Sequence, residues 1–247
     1  PDRVLSRAVS AATRRQHDAV SPHAALIALV VGGALLYLAG WQQLGARWPL
    51  RRGLSGLMGV AIVLMGLSPS INAYAHASIT GHMIQHLLLG MYAPIALVMA
   101  APVTLALASL PTASARSLVG FMNTPGVRYI SHPVTAMTLD IGAMFVLYLT
   151  PLYTAMHGQP VFGALLKLHF MLAGCLFVWA IVGPDPAPRR PGPGWRLSVL
   201  FVAMALHGTL SKYMYLHGYP LDSGTSFVAR QTAAEWMYYG GDGAAAL

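Results

Sequence analysis

Six apolar stretches joined by short polar links leave this chain few ways to fold. They run from about Ala24 to Leu44, Gly53 to Leu67, His82 to Ala108, Pro133 to Leu149, Phe162 to Val182 and Leu197 to Tyr215. Crossing the hydrocarbon core takes roughly 17–25 helical residues, so each stretch is near or above spanning length, the second being the shortest. Backbone amides in lipid must find their partners within the segment, which makes each stretch a helix. The third stretch contains Pro94 and Pro102, so a kink or an early end is expected there. A tail from Phe227 to Leu247 reads as a seventh helix carrying Arg230, Glu235 and Asp242, cut short as it turns apolar at Gly243–Leu247.

Charge supports the same class. Only 9% of the 247 residues are charged and 56% are hydrophobic, against roughly 25% charged in soluble domains. The chain is therefore read as an all-α polytopic membrane protein: one bundle of six to seven transmembrane helices over residues 23–247, the seventh incomplete, after a polar basic tail or surface helix over residues 1–22. The net charge of +8 comes from arginines in links and at span ends, and no aromatic residues alternate with them as a nucleic-acid groove requires. The first, third and fifth links hold Arg47, Arg51 and Arg52, then Arg116 and Arg128, then Arg189, Arg190 and Arg196. The second and fourth hold none, which places the odd links in the cytoplasm and the N-terminus outside. The four arginines of the tail oppose that orientation.

In this orientation the histidines within spans lie toward the outer face. His86, His169 and His207 fall roughly 6–12 Å inside the outer ends of three helices, and His82 stands one turn above His86 on the same face. Imidazoles are costly in hydrocarbon without partners, so several at one depth suggest a metal site. Met83 adjoins the pair, and Met204, His207, Ser211 and Met214 share a face of the sixth span. Imidazole and thioether form a soft, uncharged donor set suited to Cu(I). Taken singly, each histidine has an ordinary structural explanation as a hydrogen-bonded anchor; agreement in depth across three helices is what favours a metal.

Asp140 lies deep in the fourth span, nearer the cytoplasmic end than the histidines, sharing a face with Met137 and Met144. It is either a relay group or a carboxyl held neutral by a hydroxyl partner. The single cysteine, Cys175, excludes an internal disulfide and reads as a packing residue. His76, His157 and His217 sit in outer links, where they can line an access route. There is no hydrolase motif and no phosphate-binding loop, so no enzymatic activity is expected.

The stretch Gly81-His-Met-Ile-Gln-His-Leu-Leu-Leu89, followed by Ala93-Pro94 and Ala101-Pro102, resembles the signature segment of the CtaG-type cytochrome c oxidase assembly proteins. The likeness continues through Thr150-Pro-Leu-Tyr153, Lys167-Leu-His169, Gly183-Pro-Asp-Pro186 and Met237-Tyr-Tyr-Gly-Gly-Asp242. It covers most of residues 68–247, the first two spans matching in hydropathy alone. This resemblance implies a seven-span protein of the bacterial plasma membrane that supplies copper during oxidase maturation. It marks His82, His86 and His169 as functional histidines, whereas His207 rests on its depth. Oxidase subunits or other copper chaperones are the implied partners. The paired-cysteine chemistry of the single-span chaperone that shares the CtaG name is absent. Two alternatives stay open: a b-type haem protein with His86 and His207 or His169 as axial ligands, and a copper transporter with Asp140 on the path.

Overall fold

The computed structural model of the chain describes residues 21–221 and 223–247. The expected basic tail therefore lies almost wholly outside the described residues. All of the regular structure described is helical. Helix α1 (Pro22–Leu44) starts at Ser21, whose hydroxyl accepts from the Ala24 amide. Then follow α2 (Leu50–Gly66), α3 (Pro69–Ala77), α4 (Ile79–His86), a π-helical stretch (Leu87–Tyr92), α5 (Ala93–Met99), α6 (Pro102–Ser109), α7 (Thr112–Met122) and α8 (Pro125–Ile130). The second half holds α9 (Pro133–Met137), a second π-helical stretch (Thr138–Gly142), α10 (Ala143–Leu149), α11 (Leu152–Gly158), α12 (Pro160–Ile181), α13 (Pro193–His217) and α14 (Phe227–Ala245).

Four continuous helices are long and apolar enough to span a membrane, and six are if two bent pairs each count as one span. These coincide with the six apolar stretches. Helix α14 forms a hairpin with α13 and packs on α4. Its 19 residues reach about 28 Å at 1.5 Å each, but Arg230, Glu235 and Asp242 keep it less apolar than the others. Large side chains such as Leu36 and Phe201 are exposed (77% and 73%), the outward-facing apolar surface that a bilayer solvates.

Both prolines of the third span disturb it, by different means. Pro94 has no N–H for the carbonyl of Gly90, and the turn before it widens into the π-helical stretch. The freed Gly90 carbonyl faces α12 so closely that a methyl on Gly174 would collide with it. Pro102 interrupts the run: Ala101 turns into the left-handed region at φ 52° before α6 carries the span on to Ser109.

The odd links gather at one end of the bundle. Asp185, in the Gly183–Pro186 turn, accepts hydrogen bonds from the amides of Val103 and Thr104 (3.0 and 2.7 Å) and from the Thr104 hydroxyl. Its carboxylate thus caps the first turn of α6, where amides lack helical partners. Arg190 fastens the same turn by donating to the carbonyls of Gly183, Trp179 and Asp185. The even links meet at the other end, beside the start of α1.

Candidate functional site

Helix α4 turns His82, Met83 and His86 inward, all buried. The Nε2 of His82 lies 3.2 Å from the Tyr148 hydroxyl on α10. That hydroxyl is also 3.7 Å from the Met83 sulfur, so Met83 is engaged inside the core. One turn deeper, the His86 ring meets Tyr148 and Phe170 edge-on, at 6.2 and 5.5 Å between centroids. Its Nε2 is buried without a hydrogen-bond partner. An unpaired imidazole nitrogen in an apolar interior is costly to hold, which makes it a candidate donor for a ligand.

The even-link end opens onto His82. Beyond Leu149 the chain bends by 83° at Thr150–Pro151, laying α11 back over the core. Tyr153 and His157, one turn apart on α11, thereby reach His82, with ring centroids 5.0 and 6.1 Å away. His76 stands edge-on to His157 at 5.9 Å. A cavity of about 190 Å³ is lined by His23, His76, His82 and His157, together with Met156 and Lys167. A smaller one beneath it joins His82 to His86. Because a carbonyl only accepts, the 2.9 Å contact between His157 Nδ1 and the Tyr153 carbonyl puts the proton on Nδ1 and leaves a lone pair on Nε2. Metal-binding histidines are commonly oriented this way. Lys167 is held by Asn72 at 2.6 Å.

His169 and His207 lie elsewhere. The Nε2–H of His169 donates to the Leu139 carbonyl (3.0 Å), within the second π-helical stretch. The Phe170 ring packs edge-on against both His169 and His86, so an aromatic ring separates the two imidazoles. His207 shares a cavity of about 310 Å³ with Asp140, Asp242 and Met204. The His207 Nε2 and one Asp140 oxygen are buried there without partners. Asp140 and His207 therefore face a common space, which the depth estimate from sequence did not anticipate. Met214 is fully buried in the main core with Met83 and Met144. Cys175 is unpaired and half-buried.

Glycine positions His207. A methyl on Gly241 of α14 would stand 2.7 Å from the His207 Nδ1 and closer still to its Cε1. Gly241→Ala is expected to displace the ring and destabilise the protein by about 1–3 kcal/mol. Gly208→Ala, whose methyl would make ordinary contact with Tyr238 at 3.4 Å, should be neutral or stabilising. Thermal unfolding in detergent separates the two, and equal melting temperatures would refute this placement of His207.

Among the described residues, no three His, Cys, Asp or Glu side chains converge to hold a metal as they stand. The access cavity nevertheless carries a donor set of four imidazoles and a thioether with no carboxylate, which fits a soft monovalent ion better than Mg²⁺ or Ca²⁺. The sequence places His76 and His157 on the outer links, whereas the contacts of Tyr148 and Tyr153 with His82 and the place of His23 in the cavity emerge only from the fold. The Thr150-Pro151 break was the available signal for the fold-back that gathers them.

The family model described as cytochrome c oxidase caa3 assembly factor matches residues 35–247. Uncharacterised proteins of Mycobacterium bovis and Mycobacterium tuberculosis are each 35% identical over 195 residues, covering 74% of this chain. One of Mycobacterium leprae is 33% identical over 190 residues, or 73% of the chain. The chain spans only 28–29% of the length of these relatives. No solved structure matches it.

Proposed function

This chain belongs to the cytochrome c oxidase caa3 assembly factor family, and from that premise we propose that it handles Cu(I) for oxidase maturation from the outer face of a bacterial plasma membrane. The observation that carries the reading is the histidine-lined cavity at the even-link end, with His157 oriented through Nδ1 and the unpaired His86 beneath it. Copper is cargo here. It meets His23, His76 and His157 first, then His82, then His86, exchanging one uncharged donor for the next with no change of oxidation state. Oxidase subunits or a copper chaperone are the partners this role requires.

Deleting the protein should leave oxidase subunits synthesised but poor in copper and activity, with partial rescue by added copper. Normal copper content and activity in the deletion strain would overturn the reading. The outer-face assignment rests on the arginine bias of the odd links. A membrane-impermeant maleimide should label Ala77→Cys but not Gly192→Cys in intact cells, and the reverse pattern would invert the topology.

A further inference from the structure

At the odd-link end lies a cavity of about 530 Å³, and copper handling gives it no role. Its charged lining is entirely cationic: Arg128, Arg189 and Arg190, joined by Tyr129, Ser131 and His132. Asp185, the nearby carboxylate, turns its oxygens to Val103 and Thr104 and caps α6. Arg190 is held in place by three carbonyls, while its Nε is buried without a partner. Arg189 adopts φ 50°, a left-handed conformation that is strained for a residue with a Cβ. Strain of this kind persists where the surroundings enforce it, and ligand clamps are a common setting.

Three guanidinium groups around an open cavity, with Arg190 held in place among them, match a phosphate, with its several acceptor oxygens. Depth favours a lipid as the source of that phosphate. The lining runs from the link residues down to Thr135 and Ala180, inside the span ends, at the level of headgroups. Tyr129 is 71% exposed beside it, as an interfacial aromatic would be. Ile130 and Val134 continue from the rim as exposed apolar side chains along which acyl chains can lie. We infer that this cavity binds the phosphodiester headgroup of an anionic membrane lipid, between the third and fifth links.

The purified full chain in neutral detergent, titrated with phosphatidylglycerol or phosphatidylcholine and followed by native mass spectrometry, tests the assignment. Phosphatidylglycerol should bind about tenfold more tightly than phosphatidylcholine, a difference of about 1.4 kcal/mol. The Arg128→Gln/Arg189→Gln protein should lose that preference while keeping its melting temperature in phosphatidylcholine. Should the variant fold poorly, a photo-crosslinking phosphatidylglycerol on the wild-type chain gives an independent reading, with adducts expected at residues 125–135 and 187–191. Equal binding of the two lipids, or adducts elsewhere, would overturn the site. Complete displacement of the lipid by millimolar inorganic phosphate would assign the cavity to a free anion and overturn the lipid.

Discussion

Purified His82→Ala/His86→Ala protein should bind Cu(I) at least about tenfold more weakly than the wild type, and cells carrying it should resemble the deletion strain in oxidase activity. The two residues occupy the floor of the access cavity and the smaller space beneath it, so removing both leaves the outer imidazoles with nowhere to pass the ion. His169→Ala is expected to behave differently. Its ring already donates to the Leu139 carbonyl, so the loss is about 1 kcal/mol of helix packing, with copper affinity little changed. Unchanged copper binding in the double variant, or an equal loss in His169→Ala, would reject this ordering. The pH dependence has a definite sign. Burial first, then the nearby Lys167, His157 and His23, lowers the His76 pKa below 6.5. A proton and Cu(I) compete for the same lone pair, so a lowered pKa leaves this imidazole free to bind at lower pH than an ordinary histidine. It is lost as a donor only as the pH falls further, through its lowered pKa. A titration of copper binding should therefore retain the His76 contribution to lower pH than a surface histidine would.

Asp185→Ala should cause the largest loss of stability of any single substitution at the odd-link end. The carboxylate is 3% exposed and serves two amides and a hydroxyl at the start of α6. Removing it strands part-buried donors and releases the turn that Arg190 holds from the other side. The expected cost is about 3 kcal/mol, since bonds to charged groups exceed ordinary ones and the amides left unpaired at the start of α6 add their own penalty. Asp185→Asn keeps one acceptor oxygen and should fall between Ala and wild type. Melting in detergent measures both. If Ala and Asn melt together near the wild type, the cap contributes nothing to stability.

The coupling of Asp185 to Thr104 shows where sequence reading ends. Ala101-Pro102 and Gly183-Pro-Asp-Pro186 were visible as separate proline-rich motifs, but nothing local says that one caps the other. The sequence alone determined the spans, because apolar run length is a one-dimensional property that lipid enforces segment by segment. It also determined the disturbances at Pro94 and Pro102, since a missing N–H acts on its own helix. The inward His82–His86 face was legible for the same reason. Tertiary structure decided the company each histidine keeps. Depth along a helix fixes one coordinate, while rotation about the axis and the packing of neighbours fix the others. Phe170 therefore came to stand between His86 and His169, Gly241 let His207 lie against α14, and Asp140 joined the cavity of His207. The 83° turn at Thr150–Pro151 brought His157 back over His82. That contact lies 75 residues away along the chain, and only the packed bundle could create it.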